Sequence, residues 1–143
     1  MLPPPTNGKL APVIRQQAIN FAVRHVGAPY RHQGRSINYG IDCIGMIYCA
    51  YAFAGFKADI PSDYGYMNNQ ALILSYLSKY CSPIDEPCLG DILIFRVKQS
   101  IQHMAMSSKL GMVHCCQKNR GIIDEPISNF WRKRMAGCFR VNL

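Results

Sequence analysis

The apolar positions change period about halfway along the chain. From Ala11 to Val26, Ile14, Ala18, Phe21 with Ala22, and Val26 recur at close to 3.6 residues, which predicts an amphipathic helix with Pro12 in its first turn. Gly27 ends that helix and Pro29 confirms the stop. A second helix is predicted from Asp42 to Ala54, closed by Gly55; its apolar positions run almost all the way round, so it belongs in the centre of the core. Pro61 to Gly65 reads as a turn. A third helix is expected over Met67 to Tyr80, with Leu72, Leu74, Leu77 and Tyr80 inward. After "CSPIDEPCLGD" the period shortens to that of strands. "DILIFRV", "QHMAMS", "GMVHCC", "GIIDEP" and "GCFRVNL" are short β-rich runs separated by glycine and polar turns. Helices first and strands afterwards predict an α+β fold, with N-terminal helices packed on a C-terminal antiparallel sheet.

Composition narrows the class. The chain has 143 residues, about half of them apolar, enough for a single core without covalent staples. We read residues 1–10 as a proline-rich lead-in and 11–143 as one domain. No apolar run reaches the ~18–20 residues needed to cross a bilayer, and "MLPPPTNGKLAP" lacks the basic-then-apolar order of a signal peptide. Seven cysteines suggest a disulfide framework, but the number is odd and several lie within apolar periodic segments; reduced, buried thiols are the expectation. No two have CxxC spacing. Cys115 and Cys116 beside His114 would point to opposite faces of a strand, so neither a metal nor any other cofactor is expected. Sixteen basic against eight acidic residues give a formal charge of +8. That balance suits a polyanionic partner, whether nucleic acid, anionic lipid or a cell wall rich in carboxylates and phosphates.

The chemistry centres on "YGIDCIGMIYCAYAFAG", which puts Cys43 in the first turn of the buried helix. Unpaired N–H groups and the positive end of the helix dipole favour a thiolate there, and with His103 nearby they predict an ionised Cys43 at neutral pH. Asp42 opposes ionisation, and its better role is to cap the helix. A histidine must then activate the sulfur. His25 sits at a helix end, where a surface imidazole meets the negative dipole, and His32 lies in the loop before the cysteine. His103 and His114 lie on adjacent strand candidates joined by "SSKLG". If Ala105 faces Met112, His103 faces His114 and both project to one side; a one-residue slip would turn His114 away. In the first register His103 takes the thiol proton and His114 orients the imidazole, with Gln102, Gln117 or Asn119 as other sources of the third polar group. An oxyanion would be held by the Cys43 N–H and a loop donor such as the Tyr30 hydroxyl.

These residues resemble a known family. "IDCIG", "QHMAMS" and "GMVHC", with "VGAPYRHQG" before the cysteine and "GDILIF" before the first histidine, are similar in order and kind to the motifs of the NlpC/P60 cysteine peptidases. The likeness spans roughly residues 11 to 142. The ending "ISNFWRKRMAGCFRV", and Ile44 where the family usually has serine, resemble its phage-type branch. The resemblance implies a pared-down papain-like fold and hydrolysis of amide bonds in the peptide stems of peptidoglycan. It makes Cys43 the nucleophile, His103 the base and His114 the orienter, with Tyr30 and Asp42 at the site. It implies peptidoglycan stem peptides as partners, with phage-tail or delivery-apparatus proteins as further ones, and no nucleic acid. Action on the cell wall would follow delivery in a virion or injection apparatus, or lysis. Two other classes fit the composition: a basic nucleic-acid-binding module using Phe130, Trp131, Arg132, Lys133 and Arg134, and a catalytically silent tail-assembly piece.

Overall fold

A computed structural model describes residues 10–64 and 70–143. Helix α1 (Ala11–Arg24) is followed by a two-stranded ribbon of β1 (Arg35–Ser36) and β2 (Gly40–Ile41), then by α2 (Cys43–Phe53) and α3 (Gln70–Tyr80). The remainder is β3 (Cys81–Ile84), β4 (Ile92–Val97), β5 (Ser100–Ser107), β6 (Met112–Cys116), β7 (Gly121–Glu125), a single turn of helix α4 (Asn129–Arg132) and β8 (Met135–Val141). The strands β3 to β8 form one antiparallel sheet in the order β3-β8-β4-β5-β6-β7. The fold is α+β, as the change of period predicts.

The sheet has two apolar faces. Ile92, Ile94, Met104, Met106, Val113, Cys115 and Ile122 pack against the helices, including Ala18, Ile19 and Ala22 of α1 and Met46, Ile47, Ala50 and Tyr51 of α2. Helix α2 is the buried central helix, and burying an Ile or Met side chain of this kind contributes roughly 1.5–3 kcal/mol. The opposite face carries Leu93, Phe95, Ala105, Met112 and Cys138, covered by Ile127, Trp131 and Met135 from the α4 segment and the start of β8. Alternation along each strand divides the two layers, and it decides below where each histidine points.

Several expectations need correction. Val26 is exposed, because α1 ends at Arg24, two residues before it. In α3 the buried pair is Ile73 and Leu77, four apart on one face, whereas Leu74 faces outward. The predicted start of that helix, Met67 to Asn69, lies outside the described residues, as do Gly65 and residues 1–9 of the lead-in. The "CSPI" stretch, expected as a connection, is the edge strand β3; Pro83 is tolerated there because only one side of the strand is paired.

The Gly-Asp pair before β4 is structural. Gly90 has φ +89°, and a Cβ on it would come within 2.7 Å of the Arg15 carbonyl oxygen of α1. Asp91, fully buried, accepts from the Cys88 N–H at 2.7 Å and takes both arms of the Arg140 guanidinium, at 3.0 and 2.7 Å. This ion pair links the start of β4 to β8. Removing Arg140 strands the fully buried Asp91, so Arg140→Ala should lower unfolding stability by about 3 kcal/mol in a denaturant titration. A loss below about 1 kcal/mol would mean that water replaces the pair freely.

Candidate active site

The site begins with the cap of α2. Asp42 is in extended backbone, and its Oδ1 accepts from the Gly45 N–H at 2.7 Å, one of the first-turn donors that would otherwise have no partner. Its Oδ2 accepts from the Gln33 N–H at 2.8 Å and from the Tyr64 hydroxyl, and Arg35 Nη1 stands 3.5 Å from Oδ1. Arg35 also donates to the Tyr64 oxygen at 2.8 Å. A buried carboxylate with these partners fixes the cysteine-bearing turn to both flanking loops. Gly45 is required because a Cβ there would fall 2.2 Å from the Gly34 carbonyl oxygen, against which the helix start is pressed. Asp42 is therefore a cap, as the sequence suggests. Arg35 and Tyr64, which sequence reasoning did not single out, hold it.

Cys43 enters the sheet where the sheet parts. β5 and β6 pair through Ala105↔His114, Met106↔Val113 and Ser107↔Met112, and no register pair continues to His103 or Met104. The N–H groups of Met104 and Ile44 bond the Cys43 sulfur and lower its pKa. Burial and the adjacent Asp42 charge act the other way and prevail, pushing the thiol up to about 12. This overturns the expected thiolate: the resting sulfur is protonated, because desolvation outweighs what a helix N-terminus supplies.

The two histidines share the face opposite the helices. The register differs by two residues from the one anticipated, with Ala105 rather than His103 opposite His114. A shift of two keeps both side chains on one face, and makes them diagonal neighbours rather than a direct pair. Their rings meet with His103 Nε2 2.9 Å from His114 Nδ1. Trp131 stacks on the His103 ring at a centroid distance of 4.7 Å and meets the His114 ring edge-on. Under that cover His103 is 6% exposed and His114 fully buried. Burial lowers the His103 pKa to about 3, with His114 adding to the shift; burial likewise lowers that of His114, against the opposing pull of Glu125. Both imidazoles are neutral at pH 7.

Cys43 and His103 line one pocket of about 120 Å³ together with Tyr30, His32, Asp42, Tyr64 and Gln117. The sequence candidates thus come together, with His114 behind His103 on the side away from the pocket. His25 lies elsewhere, its Nδ1 2.8 Å from the Phe21 carbonyl oxygen at the end of α1. Cys115 points to the helix side and bonds the Ile41 carbonyl, so it and His114 face apart. In the "FWRKR" run Arg132 and Lys133 are exposed, while two of the three cations bond local backbone. Arg132 donates to the Ile127 carbonyl, and Arg134 donates to the Phe130 carbonyl and covers its ring at 3.7 Å. The role of Trp131 as the roof over the histidines has no local sequence signal, because it depends on how α4 folds back across β4 to β6.

Comparison with known proteins agrees with this architecture. Solved structures that resemble it include a lipoprotein-like NLP/P60-family protein from Staphylococcus aureus (TM-score 0.68, 21% identity, covering 92% of this chain and 42% of that one). Others are the NlpC/p60 domain of the peptidoglycan hydrolase SagA (0.61, 18%, 90% and 98%) and the P60 domain of an antigen from M. avium subspecies paratuberculosis (0.64, 19%, 91% and 95%). This chain thus spans less than half of the staphylococcal protein and nearly all of the other two domains. A search of curated proteins finds no match. The model of the NlpC/P60 family matches residues 27–140, from the loop before Cys43 to the Arg140 that holds Asp91, and the chain belongs to that family.

Proposed function

We propose that this chain is a cysteine hydrolase that cleaves amide bonds in the peptide stems of peptidoglycan. The observation that carries the reading is the meeting of Cys43 and His103 in one pocket while His103 Nε2 is held by His114. With Nε2 occupied, Nδ1 is the nitrogen left to serve as base. Family membership supports the reaction class, and a neighbour described as a peptidoglycan hydrolase supports the substrate. An excess of eight positive charges suits an anionic wall polymer.

The resting pair is neutral, so the proton moves during attack rather than before it. His103 Nδ1 takes the thiol proton as the sulfur adds to the carbonyl carbon, and His114 holds the resulting imidazolium in place. The oxyanion is met by the Cys43 N–H, with the Tyr30 hydroxyl as second donor. Collapse expels the amine, which leaves with the proton from His103. Water, deprotonated by the same nitrogen, then releases the carboxylate and regenerates the thiol. Placement in the phage-type branch, with delivery by a virion or injection apparatus or release by lysis, rests on Ile44 and the closing "WRKR…FRV" segment.

Purified sacculi should lose turbidity with the wild-type protein and keep it with Cys43→Ala. Equal clearing by both would remove the thiol from the mechanism.

A further inference from the structure

His103, His114 and Glu125 recur every eleven residues and occupy three neighbouring strands, β5, β6 and β7. In β6, His114 lies opposite Ala105, two residues from His103; in β7, Glu125 lies opposite Met112, two residues from His114. Both offsets run the same way, so the three side chains form one straight diagonal on the sheet face away from the helices. The Glu125 Oε2 stands 3.6 Å from His114 Nε2, and its side chain is partly exposed while that of His114 is fully buried. Among the described residues His114 Nε2 has no closer hydrogen-bond partner, although it is sealed from water.

The proton inventory gives this line a direction. For His103 Nδ1 to accept from Cys43, the neutral His103 ring must carry its proton on Nε2. That N–H donates to His114 Nδ1, which must then be bare, so the His114 proton sits on Nε2. The reverse arrangement, with the His114 proton on Nδ1, would put the His103 proton on the nitrogen facing the thiol and leave it unable to act as a base. A buried N–H needs an acceptor, because left unpaired it loses the hydrogen bond that water gives it in the unfolded chain. We propose that Glu125 is a positioning residue that selects the productive tautomer of both histidines, by offering its carboxylate to His114 Nε2–H. The inference rests on the hydrolase reading for its catalytic consequence, but the tautomer itself does not depend on turnover.

The experiment uses full-length protein labelled with ¹⁵N-histidine, observed by long-range ¹H–¹⁵N correlation at pH 7, together with stem-peptide kinetics. The wild type should show His114 protonated on Nε2. Glu125→Ala should shift His114 towards the Nδ1-protonated form and lower kcat by roughly tenfold to a hundredfold with KM little changed, the scale found when a metal-bound imidazole loses the carboxylate that orients it. Glu125→Gln should restore the tautomer and most of kcat, since an amide oxygen still accepts that proton. An unchanged His114 tautomer in Glu125→Ala would overturn the proposal, as would a kcat loss that Glu125→Gln fails to rescue. A tautomer shift in a protein that cleaves no stem peptide would support the positioning role and count against the hydrolase reading instead.

Discussion

Replacing His103 by alanine should reduce stem-peptide hydrolysis at least about a thousandfold, because it removes both the acceptor of the thiol proton and the donor to the leaving amine. The thiol makes this dependence steep. With burial and Asp42 holding Cys43 at about 12, almost no thiolate exists at pH 7 without a partner to take its proton. His114→Ala should lose less, since it removes a holder of the ring rather than the base. His114→Gln should retain more than His114→Ala, because the amide can still accept from His103 Nε2–H. Steady-state kinetics on one soluble stem peptide would rank the three. High activity in His103→Ala combined with none in Cys43→Ala would move the role of base to His32, the other imidazole in the pocket.

The second large effect is acid lability. His103 is held neutral in the fold with its pKa lowered to about 3, against 6.5 for the ordinary ring. A depressed value means stability that is present above pH 6.5 and is lost as pH falls towards 3, because the unfolded chain binds the proton and the native one does not. At about 1.4 kcal/mol per unit, the fall from pH 7 to 4.5 removes about 3 kcal/mol through this residue. Burial of His114 acts in the same direction, with Glu125 offsetting part of it. Because the whole chain titrates over this range, the diagnostic is a difference: His103→Gln should flatten the dependence of unfolding free energy on pH by that amount. Parallel curves for the two proteins would show that His103 titrates normally in the fold.

Much of this was legible along the chain for identifiable reasons. Periodicity marks α1, α2 and the five longer strands because their burial is one-sided or complete over many residues. Cys43, His103 and His114 could be named because helix-start chemistry and strand parity are local properties. The hairpin register was out by two residues, since a short polar loop such as "SSKLG" does not determine how many residues pair. The error left the site intact because parity, not register, decides the face. What stayed hidden depends on contacts between distant segments: Trp131 over His103, Tyr64 and Arg35 on Asp42, and Glu125 behind His114. The state of the thiol departs from the sequence expectation for the same reason. A sequence shows the helix dipole acting on Cys43, whereas desolvation is set by everything packed around it.

The most direct test is the chemistry of the products. Purified peptidoglycan should be digested with wild-type protein and with Cys43→Ala, and the soluble fragments analysed by mass spectrometry. The wild type should release fragments bearing a new carboxyl and a new amine within the peptide stem, with glycan strands left uncut, and Cys43→Ala should release none. Identical fragments from both proteins, or cleavage confined to the glycan, would contradict the proposed function.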